Sequence, residues 1–494
     1  MEKKHAENAL SFFKQHGVLI GENEVIARRD VSPAALLEIQ REYQGSIQPR
    51  FVSDKEFEER LTDIKQYHAS ASRQIADNMD ASIDLMALTE EIPDNEDVLD
   101  TAEHSPVIRL INAILAEAVK EKASDIHIET FGKTLVIRFR VDGVLIPVLQ
   151  PARKLSAMLI SRIKVMARLD IAEKRLPQDG RISLRLGSRA IDVRVSTLPA
   201  RHGERIVMRL LDKTNLSFGL AELGMASDEL TRLKQQIHQP HGIILVTGPT
   251  GSGKSTTLYA MLSALNSNER NILTVEDPVE YELEGIGQTQ VNSAVDMTFA
   301  RGLRAILRQD PDVVMIGEIR DSETAKIAVQ ASLTGHLVLS TLHTNSACGA
   351  VTRLQDMGVE PYLIASSLTG VLAQRLVRRL CPACRVARPV TAYEKALLPA
   401  AQSAPSQLWH PQGCERCRHS GYLGRIAIHE VITIDQALRR AIGESQGEGV
   451  METLLRQQAR SLRQNGLLRV MQGDTSLEEV LRVTAEQAFS GEQA

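Results

Sequence analysis

Four short, mostly aliphatic runs recur in the middle of the chain, and segments with a helical apolar period separate them. The runs are residues 243–246, 272–275, 313–316 and 337–339. Strands that are apolar on both faces suit a parallel sheet that helices cover on both sides. The pattern therefore predicts an α/β domain over residues 222–380.

Upstream of this domain, apolar and polar positions alternate. Ser105-Pro106 is a typical helix start, and apolar residues follow it at helical spacing as far as Ala118. Residues 137–141, 181–186 and 191–195 alternate with the period of two that marks half-buried strands. Residues 105–213 are thus predicted to form an α+β domain with an antiparallel sheet.

Further segments flank these two domains. Residues 1–68, with helical patterns around 33–43 and 54–67, are predicted to be a small, mainly helical N-terminal module. Apolar periodicity fades over 69–104 and acids cluster there, which predicts a solvated linker. The chain continues with a cysteine-bearing subdomain at 381–425 and a helical region at 426–494, where a capping box is predicted at Thr475-x-x-Glu478.

Composition narrows the class of protein. A chain of 494 residues suggests about three domains. The net charge of −4 argues against a nucleic-acid-binding protein in bulk but leaves a local basic face as an alternative. No apolar run approaches the roughly 18 residues that a bilayer span needs, and the N-terminal residues lack the apolar segment of an export signal. We therefore expect a cytoplasmic protein that reaches a membrane only through a partner.

The clearest chemical motif is a complete phosphate-binding loop (P-loop) directly after the first aliphatic run. Its glycines let backbone N–H groups approach phosphate oxygens, Lys254 places a positive charge between the β- and γ-phosphates, and the Ser255 hydroxyl is a ligand for Mg²⁺. A chance match is disfavoured because strand, loop and helix all fit the motif. ATP and Mg²⁺ are therefore predicted to bind at Gly248, Pro249, Thr250, Gly251, Ser252, Gly253, Lys254, Ser255 and Thr256.

Phosphoryl transfer also needs a carboxylate that orients the attacking water, and Glu318 is the first candidate. It follows the run at 313–316, at the sheet edge where a nucleotide binds. Glu276 follows the preceding run in the same way, with Asp277 and Glu280 nearby. The alternative is that these acids only cap helices or pair with Arg304, Arg308 or Arg320.

Two histidines flank the fourth aliphatic run. His336 and His343 are candidates for contacts with the γ-phosphate region or for relaying its loss to a neighbouring domain. The alternative is that each is a hydrogen-bonded structural residue.

Four cysteines form two C-x-x-C pairs, and a small ribbon between the pairs could bring all four thiolates to one tetrahedral zinc ion. Such a closed site has a structural role, and unligated thiols are the alternative. The predicted ligands are Cys381, Cys384, Cys414 and Cys417, whereas Cys348 has no partner and is expected in a core.

Four motifs in this order resemble the Walker A, Asp-box, Walker B and His-box motifs of bacterial type II secretion and type IV pilus ATPases. They read VTGPTGSGKSTTLY, TVEDPVEY, LRQDPDVVMIGEIRD and TGHLVLSTLHTN. The resemblance implies a RecA-like P-loop ATPase domain, a preceding α+β (PAS-like) domain and a zinc-binding insert. In the family, arginines of the preceding domain complete the nucleotide site, and motif alignment places them at Arg194 and Arg209.

The resemblance also implies biological partners. The chain would assemble into a homo-hexamer. Its N-terminal module would dock to the cytoplasmic domain of an inner-membrane secretion protein, and the ATPase would also act with an inner-membrane platform protein. The four-cysteine insert is absent from the short pilus-retraction ATPases, and the chain is most similar to the type II secretion branch. We therefore expect an ATPase of protein export at the inner membrane. The alternatives are a pilus-assembly ATPase, a motor that moves DNA or effectors in conjugation-type secretion, and a non-hydrolysing nucleotide switch.

Overall fold

The computed structural model describes residues 18–20, 25–28, 49–52, 85–90, 106–186, 189–212, 219–399 and 405–485. It divides into two compact units. The first contains Met1–Val141 and Leu145–Thr214, and the second contains Asp142–Val144 and Asn215–Ala494. Among the described residues, no helix combines the length and apolarity that crossing a membrane requires.

The described part of the N-terminal module is a three-stranded sheet of β1 (Val18–Ile20), β2 (Val25–Arg28) and β3 (Pro49–Val52). β2 pairs with β1 in the antiparallel and with β3 in the parallel direction. The sequence pattern did not predict these strands, because each is only three or four residues long. The predicted helices at 33–43 and 54–67 lie outside the described residues.

A short helix, α1 (Leu85–Glu90), lies within the segment that was predicted to be a solvated linker. Leu85 is 8% exposed and belongs to the same core cluster as the next helix, α2 (Pro106–Lys120). The linker prediction is therefore wrong at this position. The acidic composition of the segment concealed the buried apolar side chain of Leu85.

The first unit is built on a six-stranded sheet with the order β6-β5-β4-β9-β8-β7. α2 begins at Pro106, as predicted, and packs with α3 on one face of this sheet. Apolar residues such as Ile126, Phe139 and Val193 face the helices, so the alternating strands and their antiparallel pairing are confirmed. The elements are β4 (Asp125–Thr130), β5 (Leu135–Val141), β6 (Val144–Leu149), α3 (Leu155–Met166), β7 (Gln178–Leu186), β8 (Arg189–Ala200) and β9 (Gly203–Asp212).

The second unit contains a seven-stranded sheet with the order β12-β11-β13-β14-β10-β15-β18, and all four predicted aliphatic strands belong to it. Every strand pair is parallel except β15–β18. The strands are β10 (Gly242–Thr247), β11 (Ile272–Glu276), β12 (Gly287–Gln290), β13 (Val313–Ile316), β14 (Leu337–Leu342), β15 (Leu368–Leu380) and β18 (Tyr422–Thr433).

Helices cover both faces of this sheet, and apolar core clusters fill the two interfaces. β10, β13 and β14 are buried at every position, which explains why their sequences are mostly aliphatic. Because parallel strands end at one edge, the residues after β10, β13 and β14 meet there. The covering helices include α4 (Ser227–Ile237), α5 (Lys254–Leu265), α6 (Phe299–Ile306), α7 (Ser322–Leu333), α8 (Ala347–Asp356) and α9 (Pro361–Ser367).

The cysteine-bearing insert connects β15 to β18 and carries the two-stranded antiparallel sheet of β16 (Val386–Pro389) and β17 (Gln407–His410). β18 pairs with β15 from Gly370 to Leu380, so the region predicted to be helical from residue 426 begins with a strand of the central sheet. The remaining helices are α10 (Ala392–Leu397), α11 (Gln436–Gly443), α12 (Glu448–Gln458), α13 (Leu462–Met471) and α14 (Leu477–Thr484). The cap of α14 is Ser476, one residue later than predicted.

Strand β18 carries a buried histidine that should make stability depend on pH. His429 is 1% exposed, its Nε2 atom has no hydrogen-bond partner among the described residues, and burial lowers its pKa to about 3. Since the unfolded chain binds this proton near pH 6.5 and the folded chain does not, the free energy of unfolding should fall by about 1.4 kcal/mol per pH unit below 6.5.

Urea unfolding of the wild type and of His429→Leu at pH 7.5 and pH 5.5 measures this effect. The wild type should lose more stability between the two pH values than the variant. The buried carboxylates Glu229 and Glu430, whose pKa values burial raises, act in the opposite direction but are common to both proteins. An equal loss in the two proteins would contradict the prediction.

Candidate functional site

The P-loop connects the end of β10 to the start of α5 and adopts a conformation that only its glycines allow. Gly248, Gly251 and Gly253 have φ values of 153°, 78° and 89°. A Cβ atom on Gly248 would lie 2.5 Å from Ser252 Oγ and 2.6 Å from the carbonyl oxygen of Gln374. The backbone can therefore form a tight loop around a phosphate, with Ser255 and Thr256 exposed at the first turn of α5.

Lys254 lies against the loop that precedes it. Its Nζ atom donates to the carbonyl oxygens of Gly248, at 2.8 Å, and Pro249, at 3.0 Å. Burial lowers its pKa to about 8, an effect that Glu318 opposes and Arg375 strengthens. The ammonium group is thus weakly solvated, and a phosphate oxygen could replace the two carbonyl oxygens as its hydrogen-bond acceptor.

Glu318 follows β13 at the same edge of the sheet, with its side chain 15% exposed. It forms an ion pair with Arg320, and its Oε2 atom lies 3.3 Å from His343 Nε2. Burial and Lys254 both lower the pKa of His343, which favours the neutral imidazole. The structure therefore brings together three of the predicted residues, Lys254, Glu318 and His343. Glu318 also forms the ion pair with Arg320 that was predicted as the alternative to a catalytic role.

Glu276 ends β11 near this edge, but its carboxylate is 4% exposed and its oxygen atoms already accept hydrogen bonds. Thr274 Oγ1 donates at 2.7 Å and Gln288 Nε2 at 2.9 Å to Oε1, and the Tyr259 hydroxyl donates to Oε2. The Tyr259 hydroxyl also accepts from the backbone N–H of Glu280 at 3.1 Å. These contacts suit a carboxylate that holds the sheet edge in place, whereas the neighbouring Asp277 is exposed.

His336 lies at the opposite edge of the sheet. Gly242 and Leu337, the first residues of β10 and β14, are paired in register, so His336 precedes the strands whereas the P-loop follows them. Its Nδ1 atom lies 2.8 Å from the carbonyl oxygen of Ala331 at the end of α7. A strand of six residues spans about 20 Å. The prediction that His336 contacts the γ-phosphate region is therefore wrong, because His336 and the P-loop lie at opposite ends of these parallel strands.

Alanine substitutions distinguish the two histidines. His343→Ala should lower the rate of ATP hydrolysis by about ten-fold, because it removes the imidazole beside Glu318. His336→Ala should leave the rate within about two-fold of wild type, because the imidazole that it removes contacts the end of α7, far from the P-loop. Steady-state phosphate release measures both, and an equal loss in the two variants would contradict this assignment.

Arg194 and Arg209 belong to the first unit, where they are neighbours on β8 and β9 in paired register. Arg209 Nε donates to Asp125 Oδ1 at 2.9 Å, and its side chain is 54% exposed. Both lie on the side of the sheet away from α2 and α3, because their neighbours Val193 and Met208 point into the core. Their predicted role at the nucleotide remains a prediction.

Several residues beside the P-loop were not identified from the sequence. Thr247 Oγ1 donates to the carbonyl oxygen of Thr344 at 2.9 Å, which links the P-loop to the segment after β14. Gln374 and Arg375 of β15 are both buried at the same edge. A polar pair within the otherwise apolar run GVLAQRLV is the signal that could have indicated them.

The predicted metal ligands converge. The sulfur atoms of Cys381, Cys384, Cys414 and Cys417 all lie within 4.8 Å of one another. Three of the separations are 3.6, 3.7 and 4.0 Å. Four thiolates at about 2.3 Å around a tetrahedral zinc ion are about 3.8 Å apart, so the cluster fits this ion, and the separations are far too long for disulfides.

Backbone N–H groups around the cluster also favour the thiolate form of Cys417. Burial raises the pKa of the Cys417 thiol, but N–H donors from Cys414 and Gly421, each at 3.2 Å from the sulfur, outweigh it and lower the pKa to about 6. Hydrogen bonds of this kind orient metal ligands. Cys348, by contrast, is buried in an apolar core on α8, as expected.

Comparisons with known proteins agree with this geometry. Residues 100–482 match the family described as type II/IV secretion system protein, and residues 10–64 match a domain family described for GSPII protein E. The type II secretion system protein E of Aeromonas hydrophila is 58% identical over 484 residues, which cover 97% of each chain.

Two further similarities concern nucleotide chemistry. The type II secretion system ATPase E of Vibrio cholerae is 60% identical over 457 residues, covering 92% of this chain and 91% of that protein. The crystal structure of the pilus retraction motor PilT with bound ADP matches with a TM-score of 0.53 and 27% identity. The match covers 76% of this chain and 96% of that one.

Proposed function

The chain belongs to the type II/IV secretion system protein family, and we propose that it hydrolyses ATP to drive pseudopilus assembly and protein export by a type II secretion system. The observation that carries this proposal is the P-loop with Lys254, Glu318 and His343 at one edge of a parallel sheet. Relatives of 58% and 60% identity over nearly the whole chain are named for type II secretion. The pilus-assembly alternative has less support.

We assign the chemistry to residues of this edge. The backbone N–H groups of residues 250–253 and the Lys254 ammonium bind the β- and γ-phosphates, and Glu318 orients the attacking water. Ser255, exposed at the start of α5, would hold Mg²⁺, which neutralises developing charge on the phosphates when bound. His343 keeps Glu318 in place as a neutral donor, and Glu276 supports the edge through Tyr259.

The second part of the proposal concerns assembly. We propose that Arg194 and Arg209 of the PAS-like domain complete the nucleotide site, and that closure on ATP and reopening after phosphate loss drive a homo-hexamer. The exposed Arg209 side chain supports this role. The N-terminal module would dock to the cytoplasmic domain of an inner-membrane protein and hold the ATPase at the inner membrane beside a platform protein, with no nucleic acid involved. The match of residues 10–64 to a domain family of GSPII protein E supports treating these residues as a separate module.

We also propose that the four cysteines hold a structural Zn²⁺ ion. The sulfur separations and the N–H donors to Cys417 support this choice of metal. All four ligands come from the protein, which leaves no open coordination position for a substrate.

Two assays test the proposed function. Purified protein should release phosphate steadily from ATP, which a non-hydrolysing switch would not do, and DNA should not stimulate it. Expression in a strain that lacks its own type II secretion ATPase should restore export of secreted proteins, and Lys254→Ala should not restore it. Restoration of pilus assembly in place of export would favour the alternative.

A further inference from the structure

Strand β15 carries a buried glutamine beside the P-loop. β15 runs parallel to β10, and the last residue of β10, Thr247, pairs with Ala373. Gln374 therefore follows at the level where β10 becomes the P-loop, and it is 2% exposed. A glutamine buried in an apolar strand needs hydrogen-bond partners for both ends of its amide.

The partners of this amide belong to the P-loop and to the helix that follows it. Gln374 Nε2 donates to the carbonyl oxygen of Ser252 at 2.7 Å, and Gln374 Oε1 accepts from Thr257 Oγ1 at 2.7 Å. A Cβ atom on Gly253 would lie 2.7 Å from Nε2. The amide thus connects the P-loop to α5. Because it lies so close to Gly253, it also disfavours any side chain at that position.

The glutamine is itself held from two directions. Arg375 NH1 donates to the carbonyl oxygen of Gln374 at 3.0 Å, and Arg375 NH2 donates to the carbonyl oxygen of Asn345 at 2.9 Å. On the other side, Gln374 is paired in register with His429 of β18. Its position is therefore set by the sheet and not by the loop that it contacts.

We propose that Gln374 is a positioning residue that holds the P-loop in its phosphate-binding conformation. In a trans peptide, the C=O and N–H groups point in opposite directions. The hydrogen bond from Gln374 to the Ser252 carbonyl oxygen therefore fixes the Gly253 N–H in the direction away from β15. Backbone N–H groups of a P-loop are phosphate ligands, so their orientation before binding determines how much freedom the loop loses when nucleotide binds. This inference rests on the proposed ATPase function.

The test is the dissociation constant for a fluorescent ADP analogue. Gln374→Met keeps the size of the side chain and removes both hydrogen bonds, and it should weaken binding by about ten-fold. Thr257→Val should weaken binding by about three-fold. Thr257→Ser, which keeps the hydroxyl donor, should bind with wild-type affinity. Because the Gln374–Thr257 bond is shared, the double variant Gln374→Met/Thr257→Val should bind no more weakly than Gln374→Met alone.

Gln236→Met is the matched control. Gln236 is 4% exposed, and its Nε2 atom donates at 2.9 Å both to the carbonyl oxygen of Ile432 and to Thr433 Oγ1. This variant also loses two side-chain hydrogen bonds, away from the P-loop, and should bind the analogue with wild-type affinity.

Unchanged affinity in Gln374→Met, or an equal loss in Gln236→Met, would overturn the inference while the ATPase function stands. A wild-type protein that binds no nucleotide would overturn the proposed function together with the inference.

Discussion

Glu318→Gln should bind ATP with near wild-type affinity and hydrolyse it at least about 100-fold more slowly. The amide keeps the shape of the side chain but carries no charge and cannot accept a proton from water. In the structure, the Glu318 carboxylate lies at the end of β13 beside His343 and acts electrostatically on Lys254. Single-turnover hydrolysis, measured after nucleotide binding is complete, separates the chemical step from binding.

Two variants serve as controls for this result. Lys254→Ala should lose nucleotide binding as well as turnover, because it removes the charge at the phosphates. Glu323→Gln removes the carboxylate of an exposed ion pair with Arg304 and should leave the hydrolysis rate unchanged. If Glu318→Gln hydrolyses ATP at the wild-type rate, Glu318 is not the water-orienting residue, and the exposed Asp277 becomes the next candidate.

The central sheet was predictable where the sequence signal is local. β10, β11, β13 and β14 are almost entirely buried on both faces, and such positions favour aliphatic residues, so their mostly aliphatic runs stand out from the helices between them. The P-loop was equally predictable because its conformation depends on glycines within the motif itself.

The other features depend on contacts between distant parts of the chain. β18 becomes a strand by pairing with β15, which lies on the other side of the cysteine insert in the sequence. Its local sequence does not reveal this partner, and the region from residue 426 was therefore predicted to be helical. The two histidines flank β14 symmetrically in sequence, but a strand separates its ends in space, so only His343 reaches the P-loop edge. Glu276 resembled a catalytic acid because its partners Tyr259 and Gln288 lie on other elements.

Removal of the metal should unfold the cysteine-bearing insert and free the adjoining ends of β15 and β18. Cys381 directly follows β15, and β18 begins shortly after Cys417, so the metal ligands fasten the two longest strands of the sheet at one end. The apparent binding free energy of a structural zinc ion is on the order of 10 kcal/mol, which is more than a small two-stranded sheet provides by itself.

We therefore expect one zinc ion per chain in purified protein, and loss of that ion in Cys417→Ser. Hydrogen exchange in β16 and β17 should become fast in this variant, whereas β13 and β14, which lie beyond β10 in the sheet, should stay protected. Cys348→Ala is the matched control, because Cys348 is a buried cysteine that lies in the apolar core and not in the cluster. It should keep one zinc ion and slow exchange in β16 and β17. Slow exchange in β16 and β17 of a metal-free Cys417→Ser protein would mean that the insert folds without zinc.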